Sequence, residues 1–472
     1  MSIQEENLSM QGTGGIVGII PRGEVLRNFG FTGAFEQIAA STPLSLLSVK
    51  IPESCKGYFD RLGAPVFPLT ELDEPWLVRI QREVLDIAHG RWIWSRAAQN
   101  RWQIRDMEAA TLSAKAKRLG KKAVGMTLAN RAGLGMLTAT ERSTSRILSS
   151  RKNYADLYKA LKPRLVFNGS HIHSRNAIQA VQTAQWLGIR TATFVFSWDN
   201  LSSQGRVILP YDYFLVWNDA LKEQLLGMYD WIREESVFVT GTPQFDFHFR
   251  PEFQVSREDF CRSVGADPAR PIIFYSTGMA NHMPGEPEIV EEIADLMLDQ
   301  DVPHQPQLLV RVYPKDRTGR FDELRRRRKD ILIPRIEWEP EWLTPRFEDS
   351  AALVNTLRHC ALGINVASTI SLELCMFDKP VINVGYNPRS VPESSVSYSR
   401  YYEFDHYKPV IESGAVLLAK DRDQLRKFIK EALDDPGRGR SERKNLLREM
   451  FGDMLDGRSS SRVAQTLIDL AS

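Results

Sequence analysis

The sequence lacks long apolar runs, paired cysteines and any strong excess of charge. No segment of the 472 residues approaches the roughly 18 consecutive apolar residues of a membrane-spanning helix. The N-terminus (MSIQEENLSMQGTGG) has no basic segment followed by an apolar one, the layout of a secretory signal. The four cysteines (Cys55, Cys261, Cys360 and Cys375) show no C-x-x-C spacing and so indicate no zinc or redox motif. We therefore expect a cytoplasmic protein, at most peripheral at the inner face of the cell membrane.

The composition is that of a soluble globular protein. Hydrophobic residues make up 43% and charged residues 25%, and the net charge is only +2. A chain of 472 residues exceeds what a single hydrophobic core usually organises, so about two or three domains are expected.

Short apolar runs alternate with helical stretches along most of the chain, a pattern typical of parallel α/β layers. In the first half we predict strands at 15–20, 44–49, 164–168, 191–196, 213–217 and 237–246, a polar loop at 21–33 and a helix at 34–40. The pattern restarts with predicted strands at 271–278, 307–315, 361–365 and 380–384. The stretch between the two series, 249–270, has several prolines and no clear strand, which favours a hinge.

These patterns predict two doubly wound, Rossmann-like domains that face each other across a cleft. The first domain spans 1–248 and the second 249–472, with the last helix a candidate to pack back on the first domain. A helical insert is expected at about 75–160. Within it, residues 91–152 hold 14 Lys and Arg against three acids, with Trp92, Trp94 and Trp102 at the start. This segment is either a solvated insert or a surface for an anionic membrane with tryptophans as anchors.

The strand predicted at 191–196 runs into a polar turn that contains Trp198, Asp199 and Asn200. Ligands of open α/β sheets bind at the carboxyl ends of the strands, so Asp199 is a candidate proton acceptor. The alternative is that Asp199 only caps the following helix or turn.

A strand–turn–helix–strand pattern at 364–384 predicts a phosphate site in the second domain. Ser368 and Thr369 begin the helix, where free backbone N–H groups and the helix dipole favour an anion. Glu373 follows within the helix and is placed to accept hydrogen bonds from ribose hydroxyls. The alternative is an N-cap pair followed by a glutamate that only stabilises the helix.

Two further predicted strands end in residues suited to a diphosphate. Arg311 and Lys315 lie at the carboxyl end of one strand and supply cations. Ser276, Thr277 and Gly278 form the end of another, and the glycine permits close approach of the backbone. We interpret the basic run 325–329 as a solvated helix face.

Three segments together resemble the GT-B superfamily of nucleotide-sugar glycosyltransferases. The likeness is to the branch that includes teichoic-acid glycerophosphotransferases and UDP-N-acetylglucosamine 2-epimerases, and it covers most of the chain beyond about residue 160. Residues 239–246 (VTGTPQFD) are similar to the G-x-P-x-x-D segment of those families, and 311–314 (RVYP) to their R-x-H-P, with tyrosine in place of histidine. Residues 368–382 resemble their phosphate-binding helix and following G-K-P-V-I, with Asp378 where glycine is common.

The resemblance implies that the second domain binds a nucleotide-diphosphate sugar and that the first presents the acceptor and a base. It implies no metal and no cofactor. Asp199 occupies the place of a His-Gly-Thr or His-x-Glu segment in the relatives. His171 and His173 follow the strand end at 168–170, on the side of the expected cleft, and are further catalytic candidates. On the acceptor side the candidates are Arg22, Arg27, Asn28, Gly33, Trp198 and Asn200.

We therefore predict a glycosyltransferase that transfers a sugar to a cell-surface polysaccharide or glycolipid, without nucleic acid as a partner. A CDP-polyol phosphotransferase, a nucleotide-sugar 2-epimerase and a non-catalytic sugar-nucleotide or polysaccharide-binding protein are the alternatives. An epimerase is expected to lack the basic insert and to show two more carboxylates.

Overall fold

The computed structural model describes residues 14–70, 74–149, 152–171, 175–299, 302–336, 338–339, 344–392 and 397–472. The chain divides into two units, the first comprising Met1–Gln244 and Arg458–Ser472 and the second Phe245–Gly457. Of the helices in these ranges, none is long and apolar enough to cross a membrane.

The first unit contains a fully parallel seven-stranded sheet. Its strands are β1 (Ile16–Ile20), β2 (Leu44–Ser48), β3 (Val66–Pro68), β4 (Leu165–Asn168), β5 (Arg190–Phe194), β6 (Tyr213–Val216) and β7 (Val237–Val239), in the order β3-β2-β1-β4-β5-β6-β7. Strands β1, β2 and β4 are buried throughout, as their continuous apolar sequences require. The strand order reverses between β1 and β4, which makes their carboxyl ends the topological switch point of this sheet.

Helices surround this sheet and form the insert. Outside the insert they are Gly23–Val25, which continues into a π-helical turn at Leu26–Gly30, and Ala34–Ser41, Glu53–Leu62, Arg175–Trp186, Asn200–Ser203, Asp219–Met228 and Ser459–Ala471. The insert consists of Trp76–Ile93, Arg96–Glu108, Leu112–Thr127, Arg131–Leu148 and Lys152–Leu161. The C-terminal helix packs against Ala34–Ser41 and so belongs to this unit.

The second unit contains a parallel six-stranded sheet and a small antiparallel hairpin. The sheet strands are β8 (Ile272–Ser276), β9 (Gln307–Arg311), β10 (Ile331–Leu332), β13 (Leu362–Asn365), β14 (Val381–Val384) and β15 (Val416–Ala419), and the hairpin is formed by β11 (Trp338–Glu339) and β12 (Thr344–Pro345). The sheet order is β10-β9-β8-β13-β14-β15, so the switch point lies between β8 and β13. The helices are Arg257–Val264, Glu286–Met297, Asp322–Arg327, Phe347–His359, Ile370–Met376, Lys408–Glu412, Arg422–Asp434 and Arg440–Phe451.

The predicted α/β class with two doubly wound domains is confirmed, and most predicted strands are found within a few residues. The prediction of a polar loop at 21–33 was wrong, because Gly23–Gly30 is helical and largely buried. The strand predicted to end at residue 196 ends at Phe194. Strands β3, β10 and β15 were missed, since the first two are only three and two residues long and β15 is only partly buried.

The insert is helical as predicted, but its charge and aromatic residues differ from the expectation. Lys121 pairs with Glu83, and Arg118 and Lys122 both pair with Asp106. Glu83, on the helix Trp76–Ile93 and outside the window 91–152, thus offsets part of the positive charge that the window suggested. Trp102 is only 8% exposed, so the prediction that it anchors the protein to a membrane was wrong.

Candidate functional site

The carboxyl ends of three neighbouring strands in the second unit bring most of the predicted donor-binding residues to one edge of the sheet. In register, Ser276 of β8 lies beside Arg311 of β9 on one side and Asn365 of β13 on the other. The polypeptide after each strand therefore starts at the same level, next to the switch point. Ser276 and Thr277 are buried there.

The loops after β8 and β9 are joined by hydrogen bonds at this edge. Thr277 N donates to the carbonyl of Arg311 (3.1 Å), and Tyr313 N donates to Thr277 Oγ1 (2.8 Å). The backbone amide of the tyrosine in the R-V-Y-P segment thus fixes the end of β8. Lys315, which follows in the same segment, is partly buried.

An acid that sequence reasoning missed holds the guanidinium of Arg311. Arg311 Nη2 donates to Asp349 Oδ2 at 2.7 Å, and Trp338 Nε1 donates to the same oxygen at 2.6 Å. Both members of the ion pair are largely buried. The contact uses one guanidinium nitrogen, and Arg311 forms no other side-chain hydrogen bond with the described residues. Asp349 therefore orients Arg311 and leaves other N–H groups of the guanidinium to donate to a ligand.

The buried carboxylate of Glu286 binds the loop after β8 through hydrogen bonds. Gly278 N donates to Glu286 Oε2 (2.9 Å), Tyr275 Oη donates to Glu286 Oε1 (3.0 Å), and Arg320 Nη2 donates to Oε2 (2.9 Å). Complete burial raises the pKa of Glu286 to about 7, against the opposing effects of Arg320 and the Gly278 amide. The space beside Gly278 is filled, since an added Cβ would lie 2.2 Å from Met283 Sδ. A side chain at this position would require Met283 to move, and the amide of Gly278 is bonded to Glu286.

The turn between β13 and the helix Ile370–Met376 is strained and rigidly supported. Ala367, immediately before Ser368, has φ of 39°, in the left-handed region that non-glycine residues rarely adopt. Asn365 Oδ1 accepts from Ser368 N (3.2 Å) and Ser371 Oγ (3.1 Å). Asn365 itself is buried, and its Nδ2 has no hydrogen-bond partner among the described residues.

A second polar layer lies beneath that turn. Tyr407 Oη lies 2.8 Å from Asn383 Oδ1 and 2.8 Å from Ser371 Oγ, and it can donate its one proton to either. Asn383 Nδ2 in turn donates to Asn365 Oδ1 at 3.1 Å. A connected, buried network of this kind fixes the backbone that carries Ser368 and Thr369.

Glu373 lies one turn into the helix and is paired with a histidine that sequence reasoning missed. His248 Nε2 is 2.9 Å from Glu373 Oε2, and both side chains are largely buried. The imidazole packs against the rings of Phe245 and Phe377. This contact orients one carboxylate oxygen, whereas the interpretation as a helix-stabilising glutamate requires no such partner.

In the first unit, Asp199 lies at the start of a four-residue helical turn. Its side chain does not cap the backbone of that turn. Instead, it accepts hydrogen bonds from the hydroxyls of Ser197 and Ser203 (2.7 Å to the latter). Asn200 is buried and its Oδ1 accepts from Ser197 N at 3.0 Å, while Trp198 is also buried. The half-buried Asp199 is thus oriented by two hydroxyl groups, and its assignment as a base stays a prediction.

The first helical turn after β1 lies beside the end of β5. Arg22 Nε donates to Glu24 Oε2 at 2.8 Å, and its guanidinium lies 5.3 Å from the centre of the Phe196 ring. Arg27 Nε donates to the buried Asn28 Oδ1 at 2.9 Å. These side chains are held by local contacts at the switch point of the first sheet.

Gly33 and His171 have clear local roles. Gly33 has φ of 85°, a left-handed conformation that starts the helix Ala34–Ser41. His171 Nδ1 lies 3.2 Å from the carbonyl oxygen of Phe194 at the end of β5. A carbonyl only accepts, so in the neutral ring Nδ1 carries the proton and Nε2 keeps a lone pair that can take one. His173 lies outside the described residues.

The residues that sequence reasoning missed differ in how visible they were. His248 follows the G-x-P-x-x-D-like segment by two positions, which is a usable local signal. Asp349, Glu286 and Arg320 belong to no motif and act only through tertiary contacts. Within the described part of the chain, no cluster of three His, Cys, Asp or Glu side chains could hold a metal ion, and independence from metal stays a prediction.

Comparisons with known proteins identify the fold. No protein-family model matches the sequence, and no curated protein matches it. A Neisseria meningitidis UDP-GlcNAc 2-epimerase bound to UDP-GlcNAc is similar in structure, with a TM-score of 0.52, 10% identity and coverage of 96% of this chain and 99% of the other. A Rickettsia africae glycosyltransferase is similar with a TM-score of 0.51 and 12% identity, over 97% of this chain and 99% of the other. The S. aureus MnaA–UDP co-structure is similar with a TM-score of 0.51 and 14% identity, over 95% of this chain and 94% of the other. At these identities the likeness shows the GT-B-type fold that the sequence predicted; the three neighbours are a UDP-GlcNAc 2-epimerase, a glycosyltransferase and a protein in complex with UDP.

Proposed function

We propose that the chain is a metal-independent glycosyltransferase that uses a nucleotide-diphosphate sugar to extend a cell-surface polysaccharide or glycolipid. The observation that carries the proposal is the edge at the switch point of the second unit. Three strands end level there, at Ser276, Arg311 and Asn365, beside the strained turn that leads to Ser368. This is where sheets of this class bind ligands.

The side chains at this edge match the parts of a nucleotide diphosphate. In our proposal Arg311, oriented by Asp349, and Lys315 neutralise the diphosphate. The hydroxyls of Ser368 and Thr369 and the unsatisfied Nδ2 of Asn365 supply additional donors. Glu373, with one oxygen held by His248, accepts from the ribose hydroxyls through the carboxylate.

In the first unit we assign the proton acceptor to Asp199, with His171 as the next candidate. A transfer that inverts the sugar requires a group that removes the proton of the acceptor hydroxyl. Hydrogen bonds from Ser197 and Ser203 orient the Asp199 carboxylate at a strand end.

A 2-epimerase is the second candidate, and the epimerases among the structural neighbours favour it. The two functions differ in what they need. An epimerase converts the nucleotide sugar alone, whereas a transferase releases nucleoside diphosphate only when an acceptor is present. Proton NMR of UDP-GlcNAc incubated with the protein, with and without a mixture of saccharide acceptors, separates them.

We also propose that the helix Leu112–Thr127 rests on an anionic lipid surface, which would bring the enzyme to a lipid-linked acceptor. Leu112 (86% exposed), Leu119 (68%) and Met126 (48%) recur every seven residues and so share one face of this helix. Lys115, three positions after Leu112, borders the stripe and forms no ion pair with any described residue. An exposed apolar stripe bordered by a lysine is typical of helices that lie in a membrane interface.

Nucleotide binding tests the proposal directly. Thermal unfolding should be measured with UDP, GDP, CDP, TDP and CMP, because a ligand of the native state raises the melting temperature. We expect one nucleoside diphosphate to stabilise the protein and Ser368→Ala to weaken that effect, with Ser441→Ala, exposed and elsewhere in the same unit, as the control. The absence of stabilisation by all five nucleotides would contradict the proposed donor site.

A further inference from the structure

The first unit contains a cavity that the proposed reaction does not use. It has a volume of about 480 Å³ and is bounded by the helices Arg131–Leu148 and Arg175–Trp186 and by the segments that precede β5 and β6. Because β5 and β6 are parallel, the cavity lies at their amino ends. His171 and Asp199 follow the carboxyl ends of β4 and β5, at the opposite edge of this sheet.

Two buried polar atoms at the wall of this cavity have no partner. Gln179 is 8% exposed and its Oε1 accepts no hydrogen bond from the described residues. Arg142 Nη2 is buried and donates to no described acceptor. Leaving such groups unsatisfied inside a protein destabilises the native state. An acceptor and a donor without partners at one cavity indicate that a polar guest completes them.

The charge of the wall favours an anionic guest. Arg142, Arg146 and Arg190 line the cavity together with two carboxylates, Glu141 and Asp212. Glu141 is paired with Arg82, whose Nε donates to it at 2.7 Å. Asp212 accepts only from two neutral donors, the Thr191 amide and hydroxyl (2.7 and 2.8 Å). Three guanidinium groups therefore outnumber the one carboxylate of this wall that pairs with no described cation.

The remaining wall has the chemistry that recognises sugars. Trp186 is about half exposed and lines the cavity, so its ring offers an apolar face. Gln182 and Gln185 are fixed by hydrogen bonds to Ser145 Oγ (2.8 Å) and the carbonyl of Pro210 (2.9 Å). Amides held in place, together with an aromatic ring, suit the hydroxyls and the C–H face of a pyranose.

We infer that this cavity binds an acidic saccharide, a sugar unit that carries a carboxylate or phosphate. In this inference the guanidinium groups bind the acid, Gln179 accepts a hydrogen bond from a sugar hydroxyl, and Trp186 stacks on the ring. The inference rests on the proposed function for the source of the ligand, which is a segment of the acceptor polymer. Its role is to hold that polymer at a point separate from the reacting end.

Titration calorimetry with an alginate hexasaccharide tests the inference, with maltohexaose as the uncharged control and glucose 1-phosphate as a single charged sugar. We expect the alginate hexasaccharide to bind at least about tenfold more tightly than maltohexaose, since charge-assisted hydrogen bonds discriminate the two. Glucose 1-phosphate should bind more weakly than the hexasaccharide. Equal affinity for the charged and uncharged hexasaccharides, or no binding of any probe, would overturn the inference.

Two variants locate the binding. Gln179→Leu removes an unsatisfied buried amide, so the free protein should unfold at an equal or higher temperature while hexasaccharide affinity falls about tenfold. Arg190→Gln should weaken binding, whereas Arg233→Gln, an exposed site of the same unit, should not. Unchanged affinity in both cavity variants would overturn the inference. Nucleotide stabilisation measured in parallel reports on the second unit, so failure of the cavity and failure of the donor site give different results.

Discussion

Replacing Glu373 by glutamine tests the donor site most sharply, because it removes a charge and almost no volume. In the native protein one carboxylate oxygen is 2.9 Å from His248 Nε2, and the residue is 9% exposed. The amide oxygen of a glutamine can still accept from His248. The internal contact is therefore largely kept, while the negative charge offered to the ribose hydroxyls is lost.

The expected magnitude follows from that geometry. A hydrogen bond to a charged group contributes about 1.5–3 kcal/mol, which corresponds to roughly 10- to 150-fold in a dissociation constant. We expect Glu373→Gln to weaken binding of the stabilising nucleoside diphosphate within this range. The melting temperature of the free protein should change little.

The assay is titration calorimetry with the nucleotide identified by thermal unfolding. Glu258→Gln, on an exposed helix of the same unit, is the matched control and should bind like the native protein. His248→Phe keeps a ring between Phe245 and Phe377 but removes the hydrogen bond to Glu373. Its effect on affinity should be smaller than about tenfold, as only the positioning of the carboxylate is lost.

A nucleotide affinity within twofold of the native value in Glu373→Gln would refute the assignment to ribose binding. If His248→Phe weakened binding more than Glu373→Gln, the histidine itself would have to contact the ligand. Either result leaves the fold unaffected and changes only the assignment of these two residues.

Four further predictions concern other parts of the molecule. Turnover should persist in EDTA, and an absolute need for Mg²⁺ or Mn²⁺ would contradict a diphosphate neutralised by side chains. Asp199→Asn should lower turnover by roughly 100-fold or more with nucleotide affinity unchanged; near-normal turnover would leave Asp199 a structural residue. Leu112→Ser with Leu119→Ser should abolish a salt-sensitive binding to anionic vesicles, and equal binding to neutral vesicles by the native protein would disprove the membrane surface. Burial raises the pKa of Glu286 to about 7, so the native state holds its proton more tightly than the unfolded chain. The free energy of unfolding of the native protein should therefore fall as pH rises from about 4.5 to 7. Chemical denaturation of Glu286→Gln over the same pH range should show no such fall from this residue, and an equal fall in both proteins would contradict the assignment.

Much of the fold could be predicted because each strand and its exit are local features. The runs at β1, β4, β8 and β13 are continuous and apolar, so burial on both faces was visible in the sequence. Strands β3 and β10 were missed because segments of three and two residues carry too little pattern. The helical turn at Gly23–Gly30 was taken for a loop, because two glycines and several polar residues hid a segment that packing keeps helical.

The insert shows how a window of sequence misjudges charge. Counting residues 91–152 suggested a strongly basic surface, yet Glu83, which lies outside that window, pairs with Lys121. The sequence window also misjudged Trp102, which is buried although its neighbours in the sequence are polar. Among the exposed apolar residues of the insert are Leu112 and Leu119, whose seven-residue spacing was visible in the sequence but whose exposure was not.

The sequence by itself determined the two α/β layers and the polar residues that end their strands, because hydrophobic periodicity and turn chemistry act over a few residues. Only the tertiary structure decided how those polar residues are held. Arg311 meets Asp349 across 38 positions, and Glu373 meets His248 across 125. Such pairs depend on which strands become neighbours in the sheet and on which side chains lose water together. A buried ion pair or hydrogen bond is therefore a property of the packed fold, since no local pattern specifies the partner.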